Sequence, residues 1–79
     1  MPTSPQVTKD SSAEILANAY PTSIYWDNDE NSFLAELPAF NNTQLHAASW
    51  AEVASAARIA HVLLINAYRA NGYVLPEVG

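Results

Sequence analysis

Asp27, Asp29 and Asn31 stand at alternate positions in the stretch IYWDNDENSF, residues 24–33, as oxygen ligands do at the start of a calcium-binding loop. Such a loop also needs glycine at its sixth place for the sharp turn and a bidentate glutamate at its twelfth. Ser32 and Pro38 occupy those places, and proline offers no side-chain ligand. Ile24, Tyr25 and Trp26 favour strand rather than the helix that would flank the loop. The stretch therefore reads as the tip of a β-hairpin. Asp27 and Glu36, at or near strand ends, could in principle meet around a divalent ion, as carboxylates do in two-metal nucleases. No third or fourth carboxylate has an obvious place beside them.

Other chemistry finds little to stand on. His46 and His61 are the only side chains that titrate near neutral pH. They lie fifteen residues apart, without the spacing of a metal-binding helix. His46 reads as a strand-end residue, and His61 as a half-buried, hydrogen-bonded histidine on the edge of a helix core stripe. No G-x-S-x-G elbow is present, and with no cysteine there is neither a thiolate nucleophile nor a disulfide. Gly72 and Gly79 are the only glycines, too few for a loop that cradles phosphate. No enzyme activity, catalytic residue, metal site or cofactor is expected.

Charge narrows the partners. Three basic residues, Lys9, Arg58 and Arg69, face eight acidic ones, for a net charge of −5. Nucleic-acid binding needs cations that displace counterions along a groove, so direct binding to DNA or RNA is not expected. Trp26 and Trp50 accordingly read as packing residues rather than a base-stacking platform, with Trp50 stapling a helix start to the sheet. The acidic cluster either docks a basic protein or keeps the hairpin tip solvated. Tyr25, Asp27, Asp29, Glu30, Leu34 and Glu36 are the candidate partner-binding residues. The N-terminal MPTSPQVTKDSS lacks an apolar signal core, and no run reaches a membrane span, so a cytoplasmic protein is expected.

The elements that would position these groups follow from periodicity. Residues 1–12 read as a loose tail. SSAEILANAY suits one or two helical turns, capped by Ser11 or Ser12, with Ile15, Leu16 and Ala19 apolar. Residues 1–19 are thus a flexible extension with a short helix, and Pro21 places the start of the packed domain at Tyr20. Tyr20, Thr22, Ile24 and Trp26 then alternate with Ser23, Tyr25 and Asp27. Phe33, Ala35 and Leu37 alternate with Ser32, Leu34 and Glu36, which pairs two strands through NDEN. A weaker third strand follows over Thr43 to Ala47, after the turn-forming Asn41 and Asn42.

Ser49 and Glu52 match a capping box, opening an alanine-rich helix that runs to about Asn71, where Gly72 suits a left-handed cap. Val53, Ala57, Ala60, Leu64, Ala67 and Tyr68 form the stripe expected to cover the sheet. Ile59 and Val62 fall on the opposite side and are the candidate oligomer interface. At 79 residues the chain is one small domain, which hides only about 60% of its unfolded surface. Tyr25 and Leu34, opposite the hairpin's core face, add to the case for a homodimer or higher oligomer.

With this order in hand, the run from Tyr20 through Trp26-Asp27-Asn28-Asp29-Glu30-Asn31-Ser32-Phe33-Leu34-Ala35-Glu36-Leu37-Pro38 resembles the opening of HicB-like antitoxin domains. Ser49 falls on the family's helix-capping threonine, Glu52 on the glutamate of its E-A pair, and Ala57 and Ala60 on the alanines that follow. Gly72 to Glu77 is similar to the family's exit motif, so the resemblance spans residues 20–77. Asn42 and Ala47 replace two family glycines and Ala39 replaces an acidic residue, so the loop over 39–48 departs from the family's pattern. The resemblance implies an α+β fold, with an antiparallel β-β-β sheet, one long helix across a face and a possible short final strand, related to a partial ribonuclease H fold. It further implies an antitoxin that neutralises a small basic HicA-like toxin that cleaves messenger RNA. The alternative is an orphan structural, oligomerisation or regulatory module without a toxin. The family's C-terminal DNA-binding segment is expected to be missing, since Gly79 follows directly on the exit motif.

Overall fold

The computed structural model of the chain describes residues 12–77. The elements run α1 (Ala13–Ala19), β1 (Ser23–Asp27), β2 (Ser32–Leu37), a 3-10 turn (Pro38–Phe40), β3 (Thr43–Ala47) and α2 (Trp50–Ala70). The strands form an antiparallel meander in the order β1-β2-β3, and α2 packs on one face. The α+β architecture is the expected one. Residues 73–77 carry no regular structure, so the possible final strand does not form there.

The hairpin closes through Asn28, Asp29, Glu30 and Asn31, with Asp27 opposite Ser32 and Tyr25 opposite Leu34. Asn31 takes a left-handed φ of 53°, which asparagine tolerates better than most residues because its short amide can bond locally. The same device turns the chain between β2 and β3, where Asn41 and Asn42 both have positive φ. Asparagine thus supplies the turn where a glycine would be usual. Ala47 needs no such freedom, because it ends β3 in register with Phe33.

Helix α2 is delimited as its sequence dictates. The Ser49 hydroxyl accepts from the Glu52 backbone N–H at 3.1 Å. At the other end, the Gly72 N–H donates to the Arg69 carbonyl and the Tyr73 N–H to the Tyr68 carbonyl at 2.9 Å. With Gly72 at φ 70°, this is a Schellman closure. Its usual hydrophobic clasp is present too, as the rings of Tyr68 and Tyr73 meet edge to face at 5.8 Å.

The core lies between α2, the Ala35–Leu37 face of the sheet, and α1. The stripe on α2 is centred differently from the expected one. Val53, Ala57, His61 and Ile65 are buried at successive four-residue steps, while Ala60, Leu64 and Tyr68 flank them, partly buried, and Ala67 is exposed. Val62 packs against the core instead of facing away from it. Trp50 is 57% exposed, so it does not staple the helix start.

Helix α1 corrects the expected boundary as well. Ser12 caps it, accepting from the Ile15 N–H, and Ala13, Leu16 and Ala17 join the same core cluster as Leu37 and Val53. Burying a leucine such as Leu16 is worth about 1.5–3 kcal/mol. The packed unit therefore reaches back to Ala13, and Ile15, expected on the apolar side, is 48% exposed. The expected loose tail falls, apart from Ser12, outside the described residues. Tyr20 then ties the lead-in to β1 to the segment after α2: its ring is buried, and its hydroxyl donates to the Pro76 carbonyl at 2.6 Å.

Candidate functional site

Alternation along the strands gives the sheet a second face, opposite α2, and no described helix or strand lies over it. The register places Tyr25, Leu34 and His46 in one row across this face, and Ser23, Glu36 and Gln44 in the next. Asp27 and Ser32 form a third row. Four of the expected partner-binding residues, Tyr25, Asp27, Leu34 and Glu36, thus share one surface.

Leu34 sits at its centre on the middle strand, only 4% exposed, between its cross-strand partners Tyr25 and His46. It lies outside the cluster of core residues beneath α2. Around it runs a polar frame. The Tyr25 hydroxyl donates to Glu36 Oε1. That bond, together with partial desolvation and the charges of Glu36 and Asp27, pushes the phenol above its ordinary pKa. Tyr25 therefore stays protonated and remains a donor at every physiological pH.

Asp27 is the most heavily used side chain on the face. One carboxylate oxygen accepts the backbone N–H groups of Asp29 and Glu30, at 3.0 and 3.4 Å, and so folds the hairpin tip. The other oxygen lies 3.3 Å from His46 Nε2. His46 first, and then the two backbone donors, hold the Asp27 carboxyl below its ordinary range against a smaller opposing desolvation. The carboxylate is thus already committed, which closes the calcium-loop geometry at its first ligand. Asp27 and Glu36 are also two rows apart, roughly 14 Å along the strands at 3.4 Å per residue, too far to share an ion. Among the described residues, no group of three or more histidines and carboxylates could hold a metal.

Asp29 and Glu30 stand apart from this frame. Both are exposed at the hairpin tip and contribute only their backbone to it. Trp26 is on the helix side of the sheet but at its edge, 44% exposed. Its indole N–H reaches Asn28 Oδ1 at 2.8 Å, and its ring meets Phe33 at 5.1 Å.

His46 is the residue that sequence reasoning passed over. Its signal was present in β3, where Gln44 and His46 alternate with Thr43, Leu45 and Ala47, and so must face away from α2. The expectation for His61 needs the opposite correction. It is 1% exposed, stacked against Tyr20 and edge-on to Phe40, and its Nε2 has no hydrogen-bond partner. Burial pushes its pKa down, so the ring is held neutral.

Of the candidate oligomer residues, Ile59 is 59% exposed, while Val62 turns inward. Leu63, one turn on from Ile59, is 64% exposed and takes the place expected of Val62. No described helix is long and apolar enough to cross a membrane. No family model, curated protein or solved structure matches this chain.

Proposed function

We propose that this chain is a non-catalytic, cytoplasmic, HicB-like antitoxin-type protein whose uncovered sheet face binds a small basic toxin. The observation that supports this reading is the sheet face around Tyr25, whose half-exposed ring stands among Asp27, Glu36 and His46, with Leu34 buried beneath them and Asp29 and Glu30 beyond. An interface with a dry centre and a charged rim gains affinity from the centre and on-rate from the rim. The rim here is acidic, so the partner is basic. The resemblance over residues 20–77 supplies the identity of that partner.

The test is binding of this protein to the small basic product of an adjacent reading frame. Submicromolar association is expected, with an on-rate that falls as salt rises, together with protection of messenger RNA from that product. Tyr25→Ala, at a half-exposed position, should weaken association strongly, and Asp29→Asn with Glu30→Gln should slow it. Binding that is absent at physiological salt, or indifferent to both sets of substitutions, rejects the reading.

A second reading, an oligomerisation module, draws on Ile59 and Leu63, which expose apolar side chains one turn apart on α2. A homo-oligomer formed through this helix back leaves the sheet face available, so the two readings are compatible and separable by substitution.

A further inference from the structure

Asn71 is the one asparagine of the chain that is followed by glycine. Glycine sets no side chain beside its amide nitrogen, so that nitrogen can approach the carboxamide of the residue before it. The place where a Cβ would stand on Gly72 has no atom within 4 Å, and both residues are exposed. The pair therefore carries the reacting groups of an intramolecular deamidation, with water as the co-reactant. The Gly72 nitrogen bonds to Asn71 Cγ, the Cγ–Nδ2 bond breaks, and ammonia leaves with the glycine's amide proton. Water then opens the five-membered imide at either carbonyl, which leaves aspartate or isoaspartate.

The cap of α2 opposes the first step. The imide needs the Gly72 nitrogen eclipsed with the Asn71 Cβ, but a ψ of 1° at Asn71 turns it toward that residue's own N–H instead. The Asn71 carboxamide donates to the Ala67 carbonyl at 2.8 Å, which holds Cγ back against the helix. The Gly72 N–H is engaged as well, donating to the Arg69 carbonyl at 3.2 Å. Ring closure breaks both bonds and rotates ψ, so it proceeds only from an open cap. Helix ends fray readily. What resists opening here is the segment beyond Gly72. The Tyr73 ring rests on Tyr68, Leu75 is buried in the core, and the Pro76 carbonyl accepts from Tyr20.

We propose that Asn71 is a self-modifying site, deamidated in the folded protein at a rate set by opening of the α2 cap, and that the product releases residues 73–77 from the core. An aspartate carboxylate has no proton to donate to the Ala67 carbonyl, and its charge lies at the negative end of the helix dipole. Isoaspartate adds a methylene to the main chain. That shifts the Gly72 and Tyr73 N–H groups out of register with the Arg69 and Tyr68 carbonyls, and Leu75 and the Tyr20–Pro76 bond loosen with them. The change is one-way, so its extent grows with the age of the chain. It depends on neither the sheet face nor the helix back.

The test follows the full chain at neutral pH in buffer and in guanidinium chloride. Trypsin, which cuts after Arg69, then isolates Asn71 in one peptide for mass spectrometry. The folded chain should convert about tenfold or more slowly than the unfolded one, because the reaction tracks the open population. Tyr73→Ala removes a ring that is 63% exposed and so keeps the fold. It should raise the folded rate severalfold and leave the unfolded rate unchanged. Asn71→Gln should all but abolish conversion, and the isoaspartyl chain, separated by chromatography, should melt below the unmodified one. The proposal is overturned if the folded chain converts as fast as the unfolded one, or not at all by the time the unfolded one is fully converted. It is equally overturned if Tyr73→Ala leaves the folded rate unchanged, if Asn71→Gln converts as the wild type does, or if the isoaspartyl and unmodified chains melt together.

Discussion

Asp27 on β1 and His46 on β3 meet at 3.3 Å although their strands are not neighbours in the sheet, so one carboxylate bridges across the central strand and folds the hairpin tip as well. This makes the side chain a joint between local and long-range structure. Its folded pKa lies below the ordinary carboxylate value of 3.8, so the stabilisation it gives is present above that value and is lost as pH falls through the depressed one.

Asp27→Asn should therefore lower stability at neutral pH, and the gap to the wild type should close in acid below pH 3.8. Urea unfolding of both proteins between pH 7 and the acid limit would show it. A gap that persists undiminished in acid would mean that the carboxylate's charge contributes nothing.

His61 gives a dependence in a different window. Burial depresses its pKa from 6.5, so folding favours the neutral ring. The resulting stability is complete above pH 6.5 and is lost as pH falls through the lower folded value. His61→Phe should remove this slope and, by deleting an unpaired buried nitrogen, stabilise the protein by about 1 kcal/mol. Denaturant titrations at pH 5 and pH 8 on both chains supply the comparison.

Phe40 should be the most sensitive position in the fold. Its ring is 2% exposed and meets those of Tyr20, His61 and Tyr68 at 5.0–5.6 Å. Phe40→Ala should cost about 3–5 kcal/mol through the cavity it leaves. A chain this size has a total margin of only about 4–12 kcal/mol. The variant should thus be largely unfolded near 37 °C, as circular dichroism on heating would reveal.

The helix back offers the opposite contrast. Ile59→Glu and Leu63→Glu replace side chains that are more than half exposed, so each should change the stability of the single chain by no more than about 0.5 kcal/mol. If these residues join copies, the double variant should be a monomer of 8.6 kDa by light scattering where the wild type is larger. A wild-type chain that is itself monomeric at micromolar concentration removes the oligomer reading.

Much of this architecture was legible in local chemistry. The alternation from Ile24 to Leu37 set the hairpin and both of its faces, because strand side chains point to opposite sides in turn. Ser49 and Gly72 marked the ends of α2, because a hydroxyl and a left-handed residue satisfy the orphan groups there. Asn41 and Asn42 marked the turn into β3. These are interactions between residues a few positions apart, and a sequence displays them directly.

What only the tertiary structure decided depends on distant partners. Periodicity places Ile15 and Leu16 on much the same footing, yet the packing of α1 on α2 buries Leu16 completely and leaves Ile15 half exposed. A rotation of the α2 stripe by a fraction of a turn exchanged Ala67 for Ile65 and drew Val62 inward, a shift smaller than the width of an amphipathic face. His46 gained its role because the meander brings β3 within reach of Asp27, nineteen residues earlier. His61 became a buried, unpartnered group because Tyr20 and Phe40, from two other segments, close around it. Side chains that meet across such separations leave no local pattern, and only the folded chain brings them together.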